Sequence, residues 1–89
     1  MSSYNGWTNY ETWRVNLEMF DGVSAQDLGA TLDEDVAMDE QVRDLADILE
    51  QEAADIIESQ TADGLARSLA LDFLSRVDWI EIAEHIISE

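Results

Sequence analysis

Apolar side chains recur along most of this chain at intervals of three and four residues, the period of an α-helix. Proline is absent, and the strict alternation that is typical of β-strands is scarce. The clearest segment covers residues 39–59, where a single helical stripe collects Val42, Leu45, Ala46, Leu49, Ala53, Ile56 and Ile57. Acidic side chains fall on the opposite side, so the pattern predicts a long amphipathic helix here.

The N-terminal helix is predicted from a capping box, in which Thr8 caps the first turn and Glu11 reaches back to the Thr8 amide. Its expected buried face consists of Tyr10, Trp13, Leu17 and Phe20. Asn16 falls on the same face and needs a hydrogen-bond partner if it is buried. Asp21 and Gly22 are expected to end the helix, because glycine adopts the left-handed conformation that closes one.

Three further helices are predicted, over residues 25–32, 62–76 and 79–88. Ser24 is the expected cap of the first, and Asp78 with Glu81 has the spacing of a capping box for the last. The expected inward positions are Leu65, Leu69, Phe73 and Val77 in the second and Ile82, Ala83 and Ile86 in the third. We therefore expect one all-α domain over residues 1–89, a compact bundle of four to five helices.

The net charge of the chain is unusual for a small helical bundle. The chain carries 21 Asp and Glu residues against four arginines and no lysine, a net charge of −17. A net charge of about 2 to 8 keeps a small domain soluble, and a larger one costs stability through self-repulsion. Duplex DNA about 30 Å long carries roughly 18 charges, so this small domain and an equal length of DNA match in total charge.

The same charge restricts the classes of partner. Anionic lipid surfaces and nucleic acids are disfavoured, and a basic protein surface is favoured. No basic and apolar leader is visible, no apolar run could span a membrane, and cysteine is absent. The expected location is the cytoplasm.

The residue types and their spacing do not indicate a catalytic or metal-binding site. His85 is the only histidine, and Glu81 one turn before it is interpreted as its partner in a surface ion pair. A calcium loop that began at Asp33 would need an oxygen ligand and a glycine where Ala37 and Met38 stand. We therefore predict no catalytic, cofactor-binding or metal-binding residues.

Two further patterns leave alternatives open. Aromatic residues cluster near the N-terminus at Tyr4, Trp7, Tyr10, Trp13 and Phe20. We interpret them as core, with a recognition surface as the alternative. A coiled-coil dimer through residues 39–59 would place Glu52 and Ser59 at core positions, so intramolecular packing and a monomer are favoured.

The acidic side chains of the long helix and of the connection before it are the candidate binding surface. They are Asp33, Glu34, Asp35, Asp39, Glu40, Asp44, Asp47, Glu50, Asp55 and Glu58. Acidic residues three to four apart on a helix lie about 5 to 6 Å apart along its axis, whereas phosphates of one DNA strand are about 3.4 Å apart. One helix alone is therefore too sparse to imitate a duplex, so several faces of the protein, or the connection added to the long helix, would have to contribute.

Two stretches resemble known proteins. Residues 5–13, with the sequence NGWTNYETW, resemble the opening signature of a family of small proteins from phages and other mobile elements. Residues 77–85, with the sequence VDWIEIAEH, resemble its closing signature. The family implies no general biochemical activity and no catalytic residues.

In size, charge and helical character the chain also resembles type I anti-CRISPR proteins that occupy the DNA path of the Cascade surveillance complex. That resemblance implies a DNA mimic that acts in the cytoplasm of the bacterial host on a basic nucleic-acid-binding complex. An anti-restriction DNA mimic and an adaptor that binds through aromatic and apolar surface are the alternatives.

Overall fold

The long central helix and the C-terminal helix form the main contact of the fold in a computed structural model that describes residues 6–29 and 35–88. The regular elements are α1 (Tyr10–Val15), a π-helical turn (Asn16–Phe20), a 3₁₀ turn (Gln26–Leu28), α2 (Met38–Gln60), α3 (Leu65–Leu74) and α4 (Trp79–Ser88). The predicted all-α bundle of four to five helices is confirmed. None of the helices in the described ranges has the length and apolarity needed to cross a membrane.

The core lies between α2 and α4. Leu45, Leu49 and Ala53 of α2 are buried, as are Ile82 and Ile86 of α4. The limits of α2 agree with the predicted helix to one residue at each end, and those of α4 agree fully. Both helices have a strongly amphipathic pattern, which explains why periodicity predicts them so well.

The N-terminal helix begins one residue later than predicted. Its cap is Asn9, whose Oδ1 accepts a hydrogen bond from the Thr12 amide at 2.9 Å. The predicted capping box of Thr8 and Glu11 is therefore wrong. The Thr8 amide is bound by a carboxylate, but this belongs to Glu81 of α4, at 3.0 Å.

The predicted buried face of this helix is also wrong in part. Tyr10 and Leu17 are 38% and 45% exposed, whereas Val15 and Asn16 are buried with Phe20. The π-helical turn that starts at Asn16 explains the change, because its longer repeat places residues five apart on the same side. A search for the α-helical period cannot detect such a turn.

Polar bonds join the start of α1 to the segment that leads into α4. The Thr12 hydroxyl accepts from the Asp78 amide at 2.8 Å and donates to Asn9 Oδ1 at 2.6 Å. The Asn9 side-chain amide donates to the Arg76 carbonyl at 2.8 Å. We call Thr8, Asn9, Thr12, Asp78 and Glu81 the clasp, since their bonds fasten the two signature stretches to each other.

Within the described residues, the predicted helix over residues 25–32 is the 3₁₀ turn, and its last three positions, residues 30–32, lie outside the described ranges. The residue that precedes the turn is Ala25 and not the predicted cap Ser24, although Ser24 and Asp27 exchange side-chain-to-amide bonds of 3.1 and 3.2 Å. Gly29 follows in the left-handed conformation, with φ of 77°, and ends the turn. Asp33 and Glu34 of the candidate surface lie outside the described residues.

Helix α3 is shorter than predicted and is rotated. Gly64 has φ of 147°, outside the helical region, so the helix begins only at Leu65. Leu65 and Leu69, predicted to be inward, are 74% and 61% exposed, while Leu74 is buried. Arg67 explains the rotation, because its guanidinium turns inward and donates to the Thr61 carbonyl at 2.6 Å.

Candidate functional site

The outward side of α2 carries a row of carboxylates, which Gln51 interrupts between Asp47 and Asp55, about 12 Å apart along the helix axis at ~1.5 Å per residue. With 100° per residue, five of them fall within about 80° of arc, opposite the buried side of the helix. We call this set the acidic face: Glu40, Asp44, Asp47, Asp55 and Glu58. All five are exposed, and the row extends over about 27 Å of helix axis at ~1.5 Å per residue.

The other predicted residues lie around this row. Asp39 and Glu50 are exposed on one flank of α2, about a third of a turn from the middle of the acidic face. Asp35 is exposed just before the helix begins. The structure thus brings five of the ten predicted carboxylates into one row and places three beside or ahead of it, and the remaining two are not described.

Ion pairing does not neutralise the acidic face. Within the described ranges, salt bridges join Arg14 to Glu18 at 3.4 Å and Arg76 to Asp72 at 2.7 Å. Both pairs are exposed i, i+4 pairs outside α2. A hydrogen bond to the Tyr10 hydroxyl at 2.8 Å, with the charge of Glu18, raises the pKa of the Arg14 guanidinium above its ordinary value.

The other two arginines lie at α2 without pairing its carboxylates. Arg67 donates to the backbone carbonyls of Glu58 and Thr61, at 2.9 and 2.6 Å, and so stabilises the C-terminal end of the helix. Arg43 is exposed on α2 itself, and it forms no salt bridge with any residue that the structure describes. Four guanidiniums therefore leave the five carboxylates of the acidic face unpaired within the described part of the chain.

Helix electrostatics separate two groups within the candidate surface. Asp39 and Glu40 lie in the first turn of α2, where the helix dipole favours negative charge. Glu58 lies in the last turn, where the dipole disfavours negative charge, and Asp55 lies one turn earlier, where the dipole has little effect. The carboxylate of Asp55 has one side-chain bond, from the Gln51 amide at 3.0 Å. The helix dipole therefore explains the acidic side chains at Asp39 and Glu40 but not those at Asp55 and Glu58.

A small cleft lies beside the clasp. Gly6, Trp7, Glu81 and His85 line it, and its volume is about 290 Å³. The rings of Trp7 and His85 are tilted by 58°, with centroids 5.0 Å apart. Glu81, which the sequence assigned to an ion pair with His85, binds the Thr8 amide instead. The described residues gather no three metal-ligating side chains at one place.

Sequence reasoning missed an apolar groove on the other side of the molecule. The groove has a volume of about 440 Å³. Its apolar lining comes from the N-terminal helical segment, the end of α2 and α3: Val15, Met19, Ile57, Leu69, Ala70, Phe73 and Leu74. The sequence did not predict that Leu69 is exposed, because leucine at helical spacing ordinarily indicates a core position.

These features define a small, strongly acidic helical-bundle protein with an unpaired anionic helix face. The whole chain, residues 1–89, matches the model of DUF7249, which is described as a family of unknown function, and the protein belongs to that family. No curated protein and no solved structure matches the chain.

Proposed function

We propose that this protein inhibits a nucleic-acid-binding complex by placing the acidic face of α2 in the basic channel that normally holds DNA. Type I Cascade in the cytoplasm of a bacterial host is the proposed target, and the protein would act there as a phage-encoded anti-CRISPR. The supporting observation is that, among the residues that the structure describes, no arginine forms a salt bridge with the acidic face.

The strongest part of that observation concerns Asp55 and Glu58. An acid in the last turn of a helix, as Glu58 is, costs about 0.3–1 kcal/mol because it opposes the dipole. Arg67 could offset this cost by pairing with Glu58, yet it binds the Glu58 carbonyl. This arrangement lowers the stability of α2 but leaves the carboxylates accessible to a binding partner, as expected if that partner is cationic.

The magnitude of the charge favours a nucleic-acid channel over an ordinary basic patch. Neutral interfaces associate at about 10⁵–10⁶ M⁻¹s⁻¹, and charge complementarity can raise this to about 10⁸–10⁹ M⁻¹s⁻¹ at low salt. A net charge of −17 on a body 44 Å in its longest extent has the sign that a DNA channel attracts, and it is about two thirds of the roughly 26 charges on an equal length of duplex DNA. Binding would then exclude DNA by direct competition.

The test is competition between this protein and a labelled target duplex for purified type I Cascade. The intact protein should displace the duplex, and the concentration needed should rise steeply with salt because the attraction is screened. The variant Asp44→Lys/Asp47→Lys/Asp55→Lys reverses three charges of the acidic face and should abolish displacement. Its circular dichroism should stay helical, since all three side chains are exposed.

A matched control separates the acidic face from net charge. Asp21→Lys/Asp63→Lys/Glu84→Lys changes the net charge equally at exposed positions outside α2. This variant should retain most of the inhibition. Equal loss in both variants would contradict the assignment to α2, and displacement from a type I restriction enzyme but not from Cascade would move the target to the anti-restriction alternative.

The apolar groove favours a second candidate function, an adaptor that binds a protein through α3. Leu65 and Leu69 are the two most exposed large apolar side chains among the described residues. Trp7 and Trp79, by contrast, are half-buried against the core. An adaptor would bind its partner with little dependence on salt, and Leu69→Asp would remove binding while the triple Lys variant of α2 retained it.

A further inference from the structure

The cleft beside the clasp holds a carboxylate and an indole in fixed positions. Trp7 packs on the core and its ring lies against His85, at a centroid distance of 5.0 Å. Glu81 Oε1 accepts from the Thr8 amide, which orients the carboxylate and occupies only one of its two oxygens. Neither group has to be ordered by a ligand, so the cost of binding is low.

The chemistry of this pair selects a planar cation. Tryptophan is the best side chain for cation–π contact, and arginine makes such contacts more often than lysine. A planar guanidinium can lie with its face on an aromatic ring while its edge donates to a carboxylate oxygen. A compact ammonium has no separate face and edge and so fits this pair of groups less well. Glu81 and the net charge of −17 disfavour an anionic ligand, and the carboxylate disfavours an apolar one.

The size of the cleft is compatible with this occupant. Its volume of about 290 Å³ equals that of roughly ten water molecules at ~30 Å³ each, which is ample for a four-atom guanidinium with part of its methylene chain. We propose that this cleft binds the guanidinium group of an arginine on the basic partner. The ring of Trp7 would hold its face, and the second oxygen of Glu81 would accept from its edge.

This inference rests on the proposed function only because a basic partner is what would supply the arginine. The cleft residues are outside the acidic face, and none of them is altered in the triple Lys variant. A failure at either site therefore leaves the other result intact.

The test is a titration of the ¹⁵N-labelled protein with N-acetyl-arginine amide, followed at the three tryptophan indole N–H signals. Single Trp→Phe variants assign those signals to Trp7, Trp13 and Trp79. The Trp7 signal should shift in a saturable way, and the other two should move little. N-acetyl-citrulline amide, which has the same shape without the charge, should leave Trp7 unmoved.

Two substitutions on α4 complete the test. Glu81→Gln keeps an acceptor for the Thr8 amide and removes the charge, so it should weaken arginine binding about fivefold, the scale of one partly exposed ion pair. Glu84→Gln removes the same charge outside the cleft and should leave binding unchanged. Equal weakening by both variants, equal shifts at all three indoles, or equal shifts with citrulline would each overturn the proposal.

Discussion

The Thr12 hydroxyl gives the sharpest test of how this fold is held together. Thr12 is 0% exposed, and its Oγ1 accepts from the Asp78 amide at 2.8 Å while it donates to Asn9 Oδ1 at 2.6 Å. Replacing Thr12 by valine keeps the volume and removes both bonds. Any loss of stability therefore reports on the polar bonds of the clasp and not on a cavity.

The expected cost follows from the groups left behind. The Asp78 amide loses its acceptor in a partly buried position, at about 1–3 kcal/mol, because an unsatisfied buried donor keeps its full desolvation penalty. Asn9 Oδ1 retains the Thr12 amide as a donor, so its loss is smaller, about 0.5–1 kcal/mol. Together we expect Thr12→Val to lower the free energy of unfolding by about 1.5–4 kcal/mol.

Urea denaturation followed by circular dichroism measures this change, and thermal melting should show a fall of about 6–32 °C for a domain of this size. Thr8→Val is the matched control, because the Thr8 side chain is exposed and its hydroxyl makes no bond within the described residues. It should stay within about 0.5 kcal/mol of the parent. A Thr12→Val variant as stable as Thr8→Val would refute the clasp as a stabilising feature.

Three further predictions concern stability and are measured by the same denaturation. Asn16→Leu should stabilise the fold by about 1–3 kcal/mol, because Asn16 Oδ1 is buried without a hydrogen-bond partner, and a destabilised variant would show that the amide is satisfied in solution. Leu65→Ala should change the free energy of unfolding by less than about 0.5 kcal/mol, because Leu65 is exposed. Leu49→Ala should lower it by about 2–5 kcal/mol, because Leu49 is buried. Similar losses in the two variants would place Leu65 in the core. Raising the ionic strength from about 0.05 to 0.5 M at pH 7 should increase the free energy of unfolding, since salt screens like-charge repulsion, and a decrease would indicate dominant attractive pairs.

The parts of the fold that the sequence predicts are those where one physical signal dominates. Helix α2 has 23 residues with apolar and acidic side chains on opposite sides, and α4 has the same segregation over 10 residues. In both, burial of an apolar stripe outweighs every local preference. The same segregation predicts the outward position of the acidic face.

Competition between elements accounts for the errors. Thr8 and Asn9 are both good caps, and the choice of Asn9 depends on bonds to Arg76 and Thr12, of which the first joins residues 67 positions apart. The inward turn of Arg67 depends on carbonyls at the end of another helix. Local pattern carries no information about such partners, so the rotation of α3 and the groove beside it could not be predicted.

The same carboxylates lower the stability of the fold and favour the proposed binding. Repulsion among the acids weakens the fold at low salt, where attraction to a cationic channel is strongest. The clasp offsets part of this cost with bonds that need no net charge at their donors, since backbone amides supply the hydrogens for Thr12 and Glu81. At the end of α2 the guanidinium of Arg67 binds the backbone carbonyls of Glu58 and Thr61 and forms no salt bridge with the Glu58 carboxylate. Holding the bundle through backbone groups is what allows so many carboxylates to remain without cationic partners, and that is the condition that a mimic of phosphates must meet.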